Sequence, residues 1–131
     1  MTTPADPLIA AIPGAVNRGL NGVQVDVAQA GNGRVKRVIY EPGFRWSTHM
    51  KDTVGGELCM HAHVGFIARG RISIRYADGC TLDFVAPQVV AIEPGHDGWV
   101  VGDDPAVLIE FDFEGETASR FGMAGGHRHT T

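Results

Sequence analysis

An all-β sandwich or barrel is the fold class that this chain of 131 residues predicts, and three observations carry the expectation. Apolar segments of five to seven residues alternate with turn signals at fairly regular intervals, the spacing of short antiparallel strands. Glycine is abundant, at 18 residues, and supplies the corners that such an architecture needs. No long 3.6-residue period competes with the two-residue alternation. One domain spanning 1–131 is expected at this length, large enough to bury a core without staples.

The elements follow in order. Strands are predicted at 23–27, 34–41, 57–64, 66–68, 71–76, 81–85, 89–92, 99–101 and 107–113. The first twenty residues hold three prolines and no strand period, so they are expected to lie outside the sheets as a mobile end. Gly31-Asn32-Gly33 and Asp78-Gly79 supply turn positions that tolerate positive φ, the second between two strand-like segments as a tight hairpin needs. Gly102-Asp103-Asp104-Pro105 is a further break. In the last strand Val107, Ile109, Phe111 and Phe113 alternate with Leu108, Glu110, Asp112 and Glu114, which predicts one buried face and one acidic face in water. The tail 117–131 is polar and Gly-rich, ends His127-Arg128-His129, and is expected to be mobile.

Composition narrows the function classes. With 15 acidic against 11 basic residues, and no Lys/Arg run interleaved with aromatics, a nucleic-acid partner is not expected. The N-terminus lacks a charged and apolar leader, and no apolar run approaches about eighteen residues, so no membrane partner is expected and a cytoplasmic location is the default. The two cysteines, Cys59 and Cys80, are read as free thiols of a reduced protein. No phosphate-binding loop, dinucleotide fingerprint or Gly-x-Ser-x-Gly elbow is present.

Chemistry concentrates in 57–70. There Glu57, Cys59, His61 and His63 fall at every second position, and strand geometry would aim all four at one face. Carboxylate, thiolate and imidazole bind transition metals or move protons, so the stripe predicts a site without naming a reaction. Blander readings stand beside each residue. A histidine inside a small barrel is often a hydrogen-bonded filler, Cys59 is equally a small buried hydrophobe, and Glu57 at a solvent edge needs no partner. Phe44, Trp46 and Trp99 suit a pocket wall or a core. Arg45 and Arg69 suit a ligand carboxylate or open solvent, and Asp97 suits an imidazole partner or a turn cap.

Specific wording then points to a family. Glu41-Pro42-Gly43-Phe44-Arg45-Trp46, Cys59, His63-Val64-Gly65, Pro94-Gly95-His96-Asp97 and Trp99-Val100-Val101-Gly102-Asp103-Asp104-Pro105 together resemble small bacterial single-domain proteins of the cupin superfamily, over a barrel core of about 35–113. The resemblance implies an all-β, double-stranded β-helix (jelly-roll) barrel. Cupin metal motifs are degenerate here. Counted back from Gly70, the family's first-motif glutamate falls on His63 and its two histidines on Cys59 and Glu57, so His61-Ala62-His63 is out of register. Of the second motif, Glu93, Gly95, Gly98 and Gly102 occupy the fixed places, and its histidine is lost; His96, two residues before Gly98, could share the inward face. The resemblance implies a metal set of His63, His96 and Cys59 with His61 or Glu57, suited to zinc, iron, manganese or nickel. It implies a ligand set of His63, His96, Cys59, Trp46 and Trp99 for a small organic molecule. The alternative is a metal-dependent cupin enzyme of dioxygenase, isomerase or cyclase type, and a further one is a barrel with no ligand. A homodimer is expected, because a bare sheet edge is an aggregation hazard.

Overall fold

A computed structural model of the chain describes residues 6–50 and 58–125. Its strands are β1 (Val16–Leu20), β2 (Val23–Ala30), β3 (Gly33–Tyr40), β4 (His63–Arg69), β5 (Arg71–Tyr76), β6 (Thr81–Val85), β7 (Gln88–Ile92), β8 (His96–Val100) and β9 (Ala106–Asp112). Two short helices, α1 (Trp46–His49) and α2 (Thr117–Arg120), and a 3₁₀ turn at Glu114–Glu116 complete the described elements. One sheet has six strands in the order β1-β2-β3-β9-β4-β7 and the other three, β6-β5-β8, with antiparallel pairing throughout.

Turn chemistry sets the hairpins. Gly31 adopts φ +61° between β2 and β3, and Gly79 φ +90° between β5 and β6, where the Asp78 carboxylate also accepts the Cys80 N–H at 2.9 Å. The core lies between the sheets. Ile67, Val90, Ile92 and Leu108 from the larger sheet meet Ile72, Ile74, Tyr76, Phe84 and Val100 from the smaller one in a single buried cluster. Strand β7 shows the alternation, with Val90 and Ile92 buried and Val89 and Ala91 exposed, so an apolar residue at every second position suffices.

Helix α1 has no cap from its own N-terminal residue, Arg45. Asp97 of β8 supplies one: its carboxylate accepts the Ser47 N–H at 2.9 Å and the Ser47 hydroxyl at 2.8 Å. The helix is thereby pinned to β8, and Trp46 with it. Asp97 thus acts as a cap for a neighbouring element, neither an imidazole partner nor a cap for its own turn alone.

Several sequence expectations need correction. The first twenty residues do contribute a strand: β1 pairs along its whole length with β2, but all of its residues are exposed, so it leaves no apolar alternation to read. The segment expected as one strand over 57–64 is broken. Cys59 forms an isolated bridge to His96, regular pairing begins at His63, and Glu57 lies outside the described residues. The strand expected at 99–101 begins at His96. The last strand departs from expectation after Val107, which is buried as expected: Leu108, Glu110 and Asp112 are 1%, 2% and 6% exposed, while Phe111 is 45% exposed. Two acidic side chains point inward because partners wait there. Asp112 takes Arg34 at 2.9 Å and Lys36 at 2.7 Å, both from β3, and Glu110 takes His63 from β4.

Candidate functional site

Cys59, His63 and His96 converge at one end of the core. The bridge places Cys59 beside β8, its N–H donating to the His96 carbonyl at 2.7 Å and its carbonyl accepting from Gly95 N–H at 2.7 Å. Gly95, at φ +93°, makes the reversal that brings this backbone together. His63 opens β4 and His96 opens β8, on opposite sheets, and their rings meet edge to face with centroids 5.0 Å apart. Cys59 Sγ lies 3.6 Å from His63 Nε2, and one donor atom from each of the three residues falls within 4.8 Å of the others.

Both imidazoles are oriented from behind. His63 Nδ1–H donates to Glu110 Oε1 at 2.5 Å, and His96 Nδ1–H donates to the Glu93 carbonyl at 2.8 Å. A carbonyl can only accept, so His96 Nδ1 carries a proton and Nε2 is the ring nitrogen left for another partner. Glu93 is held in turn by Tyr76, whose hydroxyl donates to Glu93 Oε2 at 2.6 Å and accepts the Glu93 N–H at 3.2 Å. Glu110 Oε2, by contrast, is buried and has no hydrogen-bond partner among the described residues.

The electrostatics follow from this packing. Burial pushes the Cys59 thiol up, but hydrogen bonds from His63 and His96 and the charges on both rings outweigh it and bring the thiol down to about 5. Burial pushes His63 down, and the Glu110 charge, the hydrogen bonds to Cys59 and Glu110 and the thiolate charge overcome that and raise it to about 10. Burial raises Glu110, yet the charge and hydrogen bond of His63 with the charge of Lys36 leave it below the usual carboxylate value. Without a metal, the cluster is a thiolate and an imidazolium backed by a carboxylate.

Beside the cluster lies a cavity of about 200 Å³. Its walls are mainly apolar, with Val38, Phe44, Ile72 and Leu108 among them, and Glu110 lines it at the polar end. Half-buried Trp46 and Trp99 line it as well. His61 borders the cavity but is exposed and is not one of the three clustered residues. Arg45 sits over the Trp99 ring at 4.3 Å and 3.4 Å from Asp97, while Arg69 pairs with Asp104 at 3.5 Å. Cys80 is a free thiol and so is Cys59.

The donor geometry fits a transition metal. An ion with tetrahedral bonds of about 2.3 Å to sulfur and about 2.0 Å to nitrogen holds those two atoms about 3.5 Å apart, close to the separation of Cys59 and His63. Glu110 and Glu93 occupy the outer positions that metal-binding histidines use to fix their tautomers. Neither was legible as part of the site from sequence. Glu110 was hidden in an acidic alternation that reads as solvated, and the Glu93 contribution is a backbone carbonyl. The one usable signal for Glu110 was the pair of cations, Arg34 and Lys36, at alternate positions of another predicted strand.

No family model matches the chain, and no curated protein matches it. Solved structures do. A Cupin 2 conserved barrel domain protein from Salinispora arenicola CNS-205 superposes with a TM-score of 0.57 at 19% identity, over 87% of this chain and 94% of that one. The capsular polysaccharide assembling protein CapF from Staphylococcus aureus superposes with a TM-score of 0.53 at 17% identity, over 81% of this chain and 30% of that one. CapF with the inhibitor 3-isopropenyl-tropolone gives 0.51 at 16% identity, over 74% and 29%. The chain therefore spans under a third of either CapF chain but nearly all of the Salinispora protein. At these identities the likeness is one of fold, and the fold of this chain is that of the cupins.

Proposed function

We propose that the chain binds a small organic molecule in its cavity, next to a divalent transition metal held by Cys59, His63 and His96. One observation carries the reading: both histidines commit Nδ1 to fixed acceptors and keep Nε2 for a shared point that the Cys59 sulfur also faces. Fillers need only one satisfied nitrogen each, whereas a ligand needs this division of labour between its two nitrogens. A thiolate and two imidazoles suit zinc or iron, and admit manganese or nickel, far better than calcium or magnesium. Three protein donors leave a fourth position for a ligand atom or water. When bound, such an ion supplies a Lewis acid at the polar end of the cavity.

The protein's own groups do the rest. Glu110 and the Glu93 carbonyl hold the rings in place, and the apolar walls exclude water from the ligand's body. The inhibitor bound by CapF is a substituted single ring, and a molecule of that class suits a cavity of about 200 Å³. The open fourth position also favours a second reading, a metal-dependent enzyme of dioxygenase, isomerase or cyclase type; turnover of a bound ligand only in the metal-loaded protein would select it.

The test is elemental analysis and cobalt titration of untagged protein, with His127→Ala and His129→Ala removing the terminal histidines as competitors. One ion per chain and a thiolate-to-cobalt charge-transfer band that vanishes in Cys59→Ala are expected. Substoichiometric metal together with no such band overturns the proposed centre.

A further inference from the structure

One polar group on the cavity wall belongs neither to the cluster nor to its supports. Lys36, Val38 and Tyr40 alternate along β3, and all three line the cavity. The Tyr40 ring packs against Phe44 with centroids 5.0 Å apart, and in the strand register it stands opposite Val23 of β2 and Ala106 of β9. None of those side chains can bond its hydroxyl, which makes no hydrogen bond among the described residues.

The hydroxyl is nevertheless not sealed. Among the described residues, the fully enclosed side-chain polar atoms left without a partner are Arg37 Nε and Glu110 Oε2, and the Tyr40 oxygen is not one of them. Nor does it stand in open solvent, because burial is the first cause that pushes this phenol well above its ordinary value, followed by the charges of Glu110 and Cys59. An oxygen that is surrounded, unpartnered and still accessible opens onto the cavity that its residue lines. The same surroundings keep its proton in place, so it stands there as a donor.

We propose that the Tyr40 hydroxyl is the donor that recognises the ligand, and that the cavity takes a neutral molecule carrying a carbonyl-type acceptor on an apolar body. The inference rests on the ligand-binding reading above and narrows it to a chemical class. Neutrality follows from the wall. Its one lysine or arginine among the described residues is Lys36, whose Nζ lies 2.7 Å from Asp112 Oδ2, and His63 is turned to Glu110, so both are engaged before a ligand carboxylate arrives. The acceptor follows from the hydroxyl, since a wholly apolar occupant would displace water from it and give nothing back. The apolar walls hold the body of the molecule, and Tyr40 sets which way it faces.

The test titrates metal-stripped protein with acetophenone, with α-methylstyrene, which has the same shape but a methylene in place of the carbonyl oxygen, and with benzoate, read by calorimetry and tryptophan fluorescence. Stripping removes the ion as a rival partner for the carbonyl. Tyr40→Phe should weaken acetophenone roughly tenfold and leave α-methylstyrene within about twofold, the effect of leaving one enclosed acceptor unpaired. Benzoate should bind the wild type more weakly than acetophenone does. A ratio of acetophenone to α-methylstyrene affinity that Tyr40→Phe leaves unchanged, or benzoate binding the more tightly, overturns the proposal. Should Tyr40→Phe fail to fold, the wild type decides through the infrared band of an isotope-labelled acetophenone carbonyl: a donor shifts it to lower frequency, and a band at its position in alkane overturns the proposal. Binding with the ratio unmoved removes only the role of Tyr40, whereas failure of every probe to bind removes the cavity reading with it.

Discussion

Gly65→Ala should damage the fold and the site together. Gly65 lies in β4 directly opposite Glu110 of β9, two residues after His63. A methyl group built there collides with the Ile109 carbonyl and comes within 2.8 Å of Glu110 Cα, both backbone atoms that cannot rotate away. Ordinary carbon contacts need about 3.5–4.0 Å, so the strands must part by about an ångström at Glu110 and by more at Ile109. Overpacking of this kind costs about 1–3 kcal/mol. Loss of two ladder hydrogen bonds adds about 1–3 kcal/mol, and the alanine recovers under about 1 kcal/mol through the unfolded chain. The net expectation is a loss of about 2–4 kcal/mol in urea unfolding. It should come with weakened cobalt binding, because β4 carries His63 away from Glu110. Stability within about 0.5 kcal/mol of wild type, with cobalt binding unchanged, would refute the claim that this close approach holds the site.

Three further outcomes can be measured. Glu110→Ala should lower cobalt affinity roughly 10–100-fold, the usual effect of removing an outer partner of a ligating histidine, and an unchanged affinity would mean that His63 is held by other contacts. In metal-stripped protein, the thiolate absorbance of wild type minus Cys59→Ala should survive as the pH falls below neutral and disappear only through about pH 5, since the lowered thiol takes up no proton until then; a midpoint near 9 would show that the rings do not stabilise the thiolate. Light scattering should report about twice the 14.0 kDa chain mass, and a monomer would remove the expected homodimer.

How much of this was legible beforehand depends on where the information lies. Strands β5 and β6 have the bounds that their alternation and the Asp78-Gly79 turn predict, because local chemistry alone sets a hairpin. Cys59 and His63 could be placed on one face from spacing, and His96 from its offset to Gly98. The break in regular pairing between them could not, since it follows from the Cys59 bridge to a strand some forty residues on. Strand β1 is exposed on every residue and is held by backbone pairing, which leaves no trace in side-chain pattern. Glu110 shows the general limit. Alternation says which residues share a face but not which face is inside, and an acidic stripe is assigned to water unless its distant partners are known.

Those partners give the barrel an interior of two kinds. Along β3, β4 and β9 run Arg34, Asp112, Lys36, Glu110 and His63, of which Lys36, Glu110 and His63 line the cavity, and its other walls are mainly apolar. Replacing a buried ion pair by well-packed apolar groups is often neutral or stabilising by about 1–4 kcal/mol, so stability alone does not explain keeping this line of charges. Nor does satisfaction of hydrogen bonds explain it, because Glu110 still has one oxygen without a partner among the described residues. Departures from the most stable choice are expected where a fold carries a site. His63 first and Lys36 after it keep Glu110 ionised against burial and the charge of Asp112, and that carboxylate fixes the His63 ring with Nε2 toward Cys59. The charged line is thus the means by which a mainly apolar interior holds His63 beside Cys59 at the edge of the cavity.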